Sequence, residues 1–160
     1  MDVTSEESAT KERLVQLRFR PLWLYVDQVR EFCDFFARAT FDDRGLGERV
    51  GIIVHELVEN AIRHGDEKDL ELRLEHDESG VVVSVTNTAD PQRVKQLEEL
   101  FEKQRKLSAQ DAYAAALASA VTKPSNESGL GLPRIRCEGN VELELEVLPG
   151  RVRITARGDA

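Results

Sequence analysis

A chain of 160 residues can bury a core without disulfides or metal, and at this length it reads as one domain. Thirty acidic against 22 basic residues give a formal charge of −8, which excludes a general nucleic-acid binder, because that function needs a basic face to neutralise phosphates. No apolar run approaches the roughly 20 residues that span a bilayer, so neither direct nucleic-acid nor membrane contact is expected.

The opening MDVTSEESATKE is polar and acidic and lacks the basic and apolar regions of a signal peptide. Residues 1–12 are expected to form a flexible tail, and 13–160 a single domain. Cys33 and Cys137 lie far apart without metal-type spacing and read as reduced core thiols of a cytoplasmic protein.

In LVQLRFRP, Val15, Leu17 and Phe19 recur at period two and stop at Pro21, which predicts a strand. From Leu22 to Thr40 the spacing turns helical, with Leu24, Val26, Val29, Phe32, Phe35 and Phe36 as a broad buried stripe. FDDRGLGE reads as a break, Asp and Gly being turn residues. A second helix should follow from Leu46 to His64, with Leu46, Val50, Ile53, Leu57 and Ala61 inward and Gly65 at its C-terminal end.

LELRLEH and VVVSVTN, joined by DESG, predict a hairpin. About forty charged and alanine-rich residues come next and predict a helical insert over about 91–127, in which DAYAAALASA reads as an ordered helix. SGLGL then opens a short helix, GLPRIRCEG, and VELELEVL with RVRITAR closes the chain as a second hairpin. This order predicts an α+β fold: a two-layer α/β sandwich, its sheet mixed but mostly antiparallel, with helices on one face.

Two constellations carry chemistry. In HELVENAIRHGD, positions 56, 60 and 64 climb one side of a helix, each about 40° further round, with Arg63 nearly above Glu56. Such a polar strip is ordinarily a solvated helix edge with pairs such as Glu59–Arg63. Asn60 argues otherwise, since asparagine competes for backbone hydrogen bonds and is a poor helix-interior residue. The second constellation is Ser128 to Leu132. Two glycines one residue apart at a helix start permit close approach and aim free N–H groups at an anion, or simply make a turn anchored by Leu130 and Leu132. His55 and Glu59 also match an H-E-x-x-E metal-binding pattern, but no third ligand accompanies them. His76, at a strand end, reads as surface.

In this order, with a long insert between them, the two constellations resemble the Bergerat-fold (GHKL) ATP-binding superfamily. That group includes gyrase-type ATPases, histidine-kinase catalytic domains and anti-sigma-factor serine kinases. Its E-x-x-x-N box reads here Glu56-Leu-Val-Glu-Asn60, and its glycine box Gly129-Leu130-Gly131-Leu132. The short length, the strand–helix–helix entry and the closing hairpin look most like the anti-sigma-factor kinase branch, a bacterial-type regulator. The resemblance implies that Asn60 binds, through its side-chain oxygen, a Mg²⁺ bridging the phosphates of ATP, an oxygen ligand suiting this hard cation. It implies Glu56 as general base toward water or a partner's Ser/Thr hydroxyl. Arg63 and His64 would lie near the phosphates or the insert, and the backbone from Ser128 to Leu132 would cradle phosphate.

The family's middle box, D-x-G-x-G, is absent: the strand runs instead into Asn87-Thr88-Ala89-Asp90-Pro91. Asn87 would offer an amide oxygen to the adenine amino group where the family has a carboxylate, without the strength of a charge-assisted bond. Asp90, three residues later, is the other candidate. Two functions therefore stand open. One is an ATP–Mg²⁺-binding regulator of the anti-sigma or switch-kinase type, which sequesters a sigma-factor-like protein or phosphorylates a small antagonist protein. The other is a non-catalytic interaction module of the same fold. Homodimerisation is an expectation under either, with LVQLRFR as the open edge.

Overall fold

The structure is a computed structural model that describes residues 12–66, 68–122 and 131–158. Of the expected N-terminal tail, only Glu12 lies among them. It already belongs to the first strand, β1 (Glu12–Phe19).

The period-two residues of β1 set the register of the sheet. Val15 stands opposite Leu74, Leu17 opposite Leu72 and Phe19 opposite Leu70 of β2 (Leu70–Asp77). A tight turn at Glu78 and Ser79 returns the chain as β3 (Gly80–Thr88), pairing Leu74 with Val83 and Leu72 with Val85. The closing hairpin, β4 (Val141–Leu148) and β5 (Arg151–Gly158), docks through β5 against β3, so that Val85 faces Ile154. The order is β1-β2-β3-β5-β4, and the sheet expected to be mostly antiparallel is antiparallel at every neighbouring pair. The insert carries the chain to the far edge before it returns, so no parallel pair arises.

Alternation sends Leu70, Leu72, Leu74, Val83, Val85, Ile154 and Ala156 into one core with the helices. The opposite face is polar: Arg18, Glu71, Thr86, Arg153 and Glu146 form a cross-strand row. Within it Arg18 pairs with Glu71 at 3.0 Å and Arg153 with Glu146 at 3.0 Å.

A short 3₁₀ turn, Trp23–Tyr25, leads into α1 (Val26–Phe41). The six-residue apolar stripe expected there is only partly buried. Val26, Cys33 and Ala37 face inward, whereas Leu24, Phe32 and Phe35 are exposed. Residues 33 and 37 share one face of a 3.6-residue helix, and 32 and 35 stand well round from it, so α1 cannot bury both sets against one neighbour.

The turn expected over FDDRGLGE shrinks to two aspartates. Asp42 closes α1 in the left-handed conformation (φ 50°), and the Asp43 carboxylate accepts the backbone N–H of Leu46 to cap α2 (Arg44–His64). The glycines beyond are helical. A β-carbon on Gly47 would lie 2.8 Å from the carbonyl oxygen of Asp34, so this glycine exists for close α1–α2 packing, not for a bend. Along α2 the five expected core residues are all buried. Leu57 is 1% exposed, and truncating a leucine so placed to alanine costs about 2–5 kcal/mol.

Among its described residues the insert holds two helices, α3 (Pro91–Arg105) and α4 (Ala109–Ala120), N-capped by Asp90 and Ser108. The short helix α5 (Gly131–Glu138) packs between α2 and α4. Among the described residues no helix is long and apolar enough to cross a membrane. Both cysteines are free thiols; Cys33 is buried, but Cys137 is only half-buried, not the core thiol expected. His76 is also half-buried and stacks on Phe41 with ring centroids 5.0 Å apart, rather than standing on the surface.

Candidate functional site

The α2 row begins with Glu56, which is 9% exposed although it carries a carboxylate. Its Oε1 accepts a hydrogen bond from Nη1 of Arg134, on the first turn of α5, at 3.0 Å. Its Oε2 faces Gly131, where a β-carbon would come within 2.7 Å. The fold therefore sets the second glycine of the late diglycine stretch directly on the helix carboxylate. Burial raises the Glu56 pKa and repulsion from Glu59 adds to this, while His55 and Arg134 oppose it; the net shift is upward.

Asn60, one turn later, is half-buried. Its carboxamide makes no hydrogen bond to another described residue, so both of its polar atoms remain available. Arg63 leaves the row. Its Nη2 donates to Glu59 at 2.6 Å and its guanidinium stands 5.4 Å from the Trp23 ring centre. Nε2 of His55 also lies 3.0 Å from Glu59, so the two residues of the H-E-x-x-E pattern face each other one turn apart, with Arg63 beside them. His64 is half-buried; burial lowers its pKa, and the charges of Arg93 and Arg63 lower it further. Arg93 opens the insert, so His64 stands at the junction of α2 and α3.

Asn87 continues the core face of β3 and is 5% exposed. Its Nδ2 donates to the carbonyl oxygen of Thr88 at 3.0 Å, which leaves Oδ1 as the free acceptor. The end of α2 closes against this amide, and a β-carbon on Gly65 would lie 2.6 Å from Nδ2. Gly65 ends α2 as expected and is extended (φ −88°, ψ −178°), so it is close approach that calls for glycine here. Asp90 has a structural role here: its carboxylate accepts the N–H of Arg93 at 2.9 Å as the α3 cap.

Of the glycine-box positions, Gly131 and Leu132 are described. Leu132 is 3% exposed and anchors the helix in the core. Ser128, Gly129 and Leu130 lie outside the described residues. The structure thus brings Glu56 and Gly131 together, leaves Asn60 without a hydrogen-bond partner among the described residues one turn away, and turns Arg63 aside to Glu59. Arg134 is the residue that sequence reasoning missed. The signal was present as a cation one turn into the helix that the glycines open.

An N-box carboxylate under a glycine-opened helix, on an antiparallel sheet with a helical insert between, is the arrangement that decides the family. The model for histidine kinase-, DNA gyrase B- and HSP90-like ATPases matches residues 45–156. The chain belongs to this family. Among solved structures, a chain of the crystal structure of the SiaB–SiaC complex from Pseudomonas aeruginosa superposes on this ATPase-family chain with a TM-score of 0.66. The two are 17% identical, and the likeness covers 93% of this chain and 91% of that one, so it speaks for the fold. Comparison with the curated proteins finds no match.

The family implies ATP and Mg²⁺, and the residues present fit them in part. Asn60 offers an uncommitted oxygen of the kind Mg²⁺ prefers, and Asn87 offers a buried acceptor at the end of β3. Arg93 brings a positive charge to the junction of α2 and α3, where His64 feels it. Glu56 fits less well, because a base must be open to the proton it takes, and here Arg134 covers it.

Proposed function

We propose that this member of the ATPase family is an ATP–Mg²⁺-binding regulator that acts on a protein partner, in the manner of the anti-sigma-factor or switch-kinase branch. The observation that carries the reading is the seat of Gly131 on Glu56, with the Asn60 carboxamide free one turn away. Asn60 would hold the metal through its oxygen, Asn87 would accept from the base, and the start of α5 would face phosphate. Bound ATP supplies the transferable phosphoryl group. Glu56 would take the proton of a partner's serine or threonine hydroxyl as that oxygen bonds to the γ-phosphorus. The bond to the β–γ bridging oxygen then breaks, and ADP leaves with its electron pair. That the structural neighbour is one member of a two-protein complex supports a protein as the partner, either sequestered or phosphorylated.

A thermal-shift series tests this. A nucleotide at a hundredfold excess over its dissociation constant stabilises by about 2.7 kcal/mol, which moves the melting temperature of a domain this size by about 5–10 °C. ATP with Mg²⁺ should produce such a shift, and Asn60→Ala should remove it. A melting curve unmoved by saturating nucleotide would sink the proposal.

The second reading, a non-catalytic interaction module, is favoured by one observation: Glu56 is ion-paired with Arg134. It expects partner capture in nucleotide-free buffer to be equal for wild type and Glu56→Ala. A strict ATP requirement for capture would rule it out.

A further inference from the structure

We infer that Arg134 gates Glu56: the guanidinium keeps the carboxylate covered until triphosphate oxygens draw it away. This rests on the nucleotide site proposed above.

In the structure Oε1 of Glu56 is taken by Arg134, while Oε2 faces the space that the missing β-carbon of Gly131 leaves. A hydroxyl arriving from solvent meets Oε1 only once the arginine moves. The pair is also lopsided. The Arg134 side chain is 42% exposed and that of Glu56 only 11%, so an anion entering from solvent reaches the cation first.

Arg134 has a second anchor as well. Its Nε donates to Oε2 of Glu138 at 2.8 Å, one turn along α5. Leaving Glu56 therefore does not strip the guanidinium of every anion, and it can pivot about Nε while its terminal nitrogens turn outward. Guanidinium matches phosphate oxygens as well as it matches carboxylate, through paired N–H donors. Glu138 also lies within 3.5 Å of the Tyr113 hydroxyl on α4, so the pivot is tied to the insert. Covering Glu56 while the site is empty keeps the base from acting on water or a misplaced hydroxyl. Uncovering it is coupled to the arrival of the phosphoryl donor.

The test uses the full chain with ¹⁵N-labelled arginine. The Arg134 Nε–H resonance, assigned by its loss in Arg134→Lys, is followed during titration with ADP–Mg²⁺ and with ATP–Mg²⁺, and calorimetry runs in parallel. ATP should displace the resonance, and Arg134→Met should weaken ATP about tenfold, the worth of one charged hydrogen bond. ADP affinity should stay within about twofold, as for a site the residue does not touch. Arg134→Lys keeps the charge without the fork and should recover part of the ATP preference. Should Arg134→Met not fold, the Arg134→Met/Glu56→Gln double variant leaves neither charge buried alone and serves in its place. An unmoved resonance, with ATP and ADP weakened alike or not at all, overturns the gate and leaves the nucleotide site standing. No heat from either nucleotide in wild type overturns both.

Discussion

A β-carbon placed on Gly131 would stand 2.7 Å from Oε2 of Glu56, nearer than two such atoms can rest. The obstacle is the tip of a side chain, not backbone, so Gly131→Ala should fold. The carboxylate would have to swing and loosen its bond to Arg134. The expected loss is about 1–3 kcal/mol, the usual toll of overpacking. The sharper expectation is coupling: a double-mutant cycle between Glu56→Gln and Arg134→Met should lose most of its interaction energy in the Gly131→Ala background. A cycle of unchanged size would show that Gly131 does not position the carboxylate.

Asn87 invites the substitution that would restore the family's aspartate, and the structure predicts that it fails. Nδ2 donates to the Thr88 carbonyl oxygen at 3.0 Å and lies against Gly65. Asn87→Asp would set a carboxylate oxygen against that carbonyl in a position only 5% exposed. Burying such an unpaired acceptor costs about 1–3 kcal/mol, more for a charged group. Urea denaturation of the free protein should show the loss. Gly65→Ala should cost at least as much, because its β-carbon would lie 2.5 Å from the Ala61 carbonyl oxygen, which is backbone and cannot step aside. An Asn87→Asp protein as stable as wild type would mean the amide is not held as described.

How far the sequence foretold this differs between α1 and α2. The inward residues of α2, Leu46 through Ala61, were legible because one period governs a helix packed along a single face. On α1 the same rule overreached. Phe32 and Phe35 are as apolar as core residues, and only the position of α2 shows that Cys33 and Ala37 take the inward side. Local patterns also misplaced Gly47, whose role depends on a neighbouring helix. The box residues Glu56 and Gly131 were readable as separate motifs. Arg134 was not, because its bond to Glu56 spans 78 residues and no spacing rule reaches that far.

The two thiols separate cleanly. Cys33 is fully buried, and burial pushes its pKa up to about 12, so it is both inaccessible and protonated at neutral pH. Cys137 is half-buried on α5. A maleimide reagent at neutral pH should label Cys137 alone in the native protein and both cysteines after denaturation, as read by intact mass. Fast native labelling of Cys33 would mean that α1 opens from α2 far more often than this packing allows.

The carboxylates of Glu71, on the polar face of the sheet, and Glu56, on α2, should respond to pH with opposite sign. Burial raises the Glu71 pKa, but the hydrogen bond from Arg18, the charge of Arg73 and the Gln16 amide outweigh it, so the net shift is downward. The unfolded state then binds the proton more tightly than the folded one. The contribution of Glu71 is therefore full above the usual carboxylate value of 4.5 and is lost as pH falls through the depressed folded value. Glu56 is shifted upward, so the folded state holds its proton more tightly, and stability falls as pH rises from 4.5 through the raised folded value. Urea melts of wild type, Glu71→Gln and Glu56→Gln from about pH 3 to about pH 8 separate the two, since every other titration cancels in the differences. Wild type should gain on Glu71→Gln as pH rises and lose ground to Glu56→Gln over its own window. Parallel curves for wild type and Glu56→Gln would show that Arg134 offsets the burial of Glu56 completely.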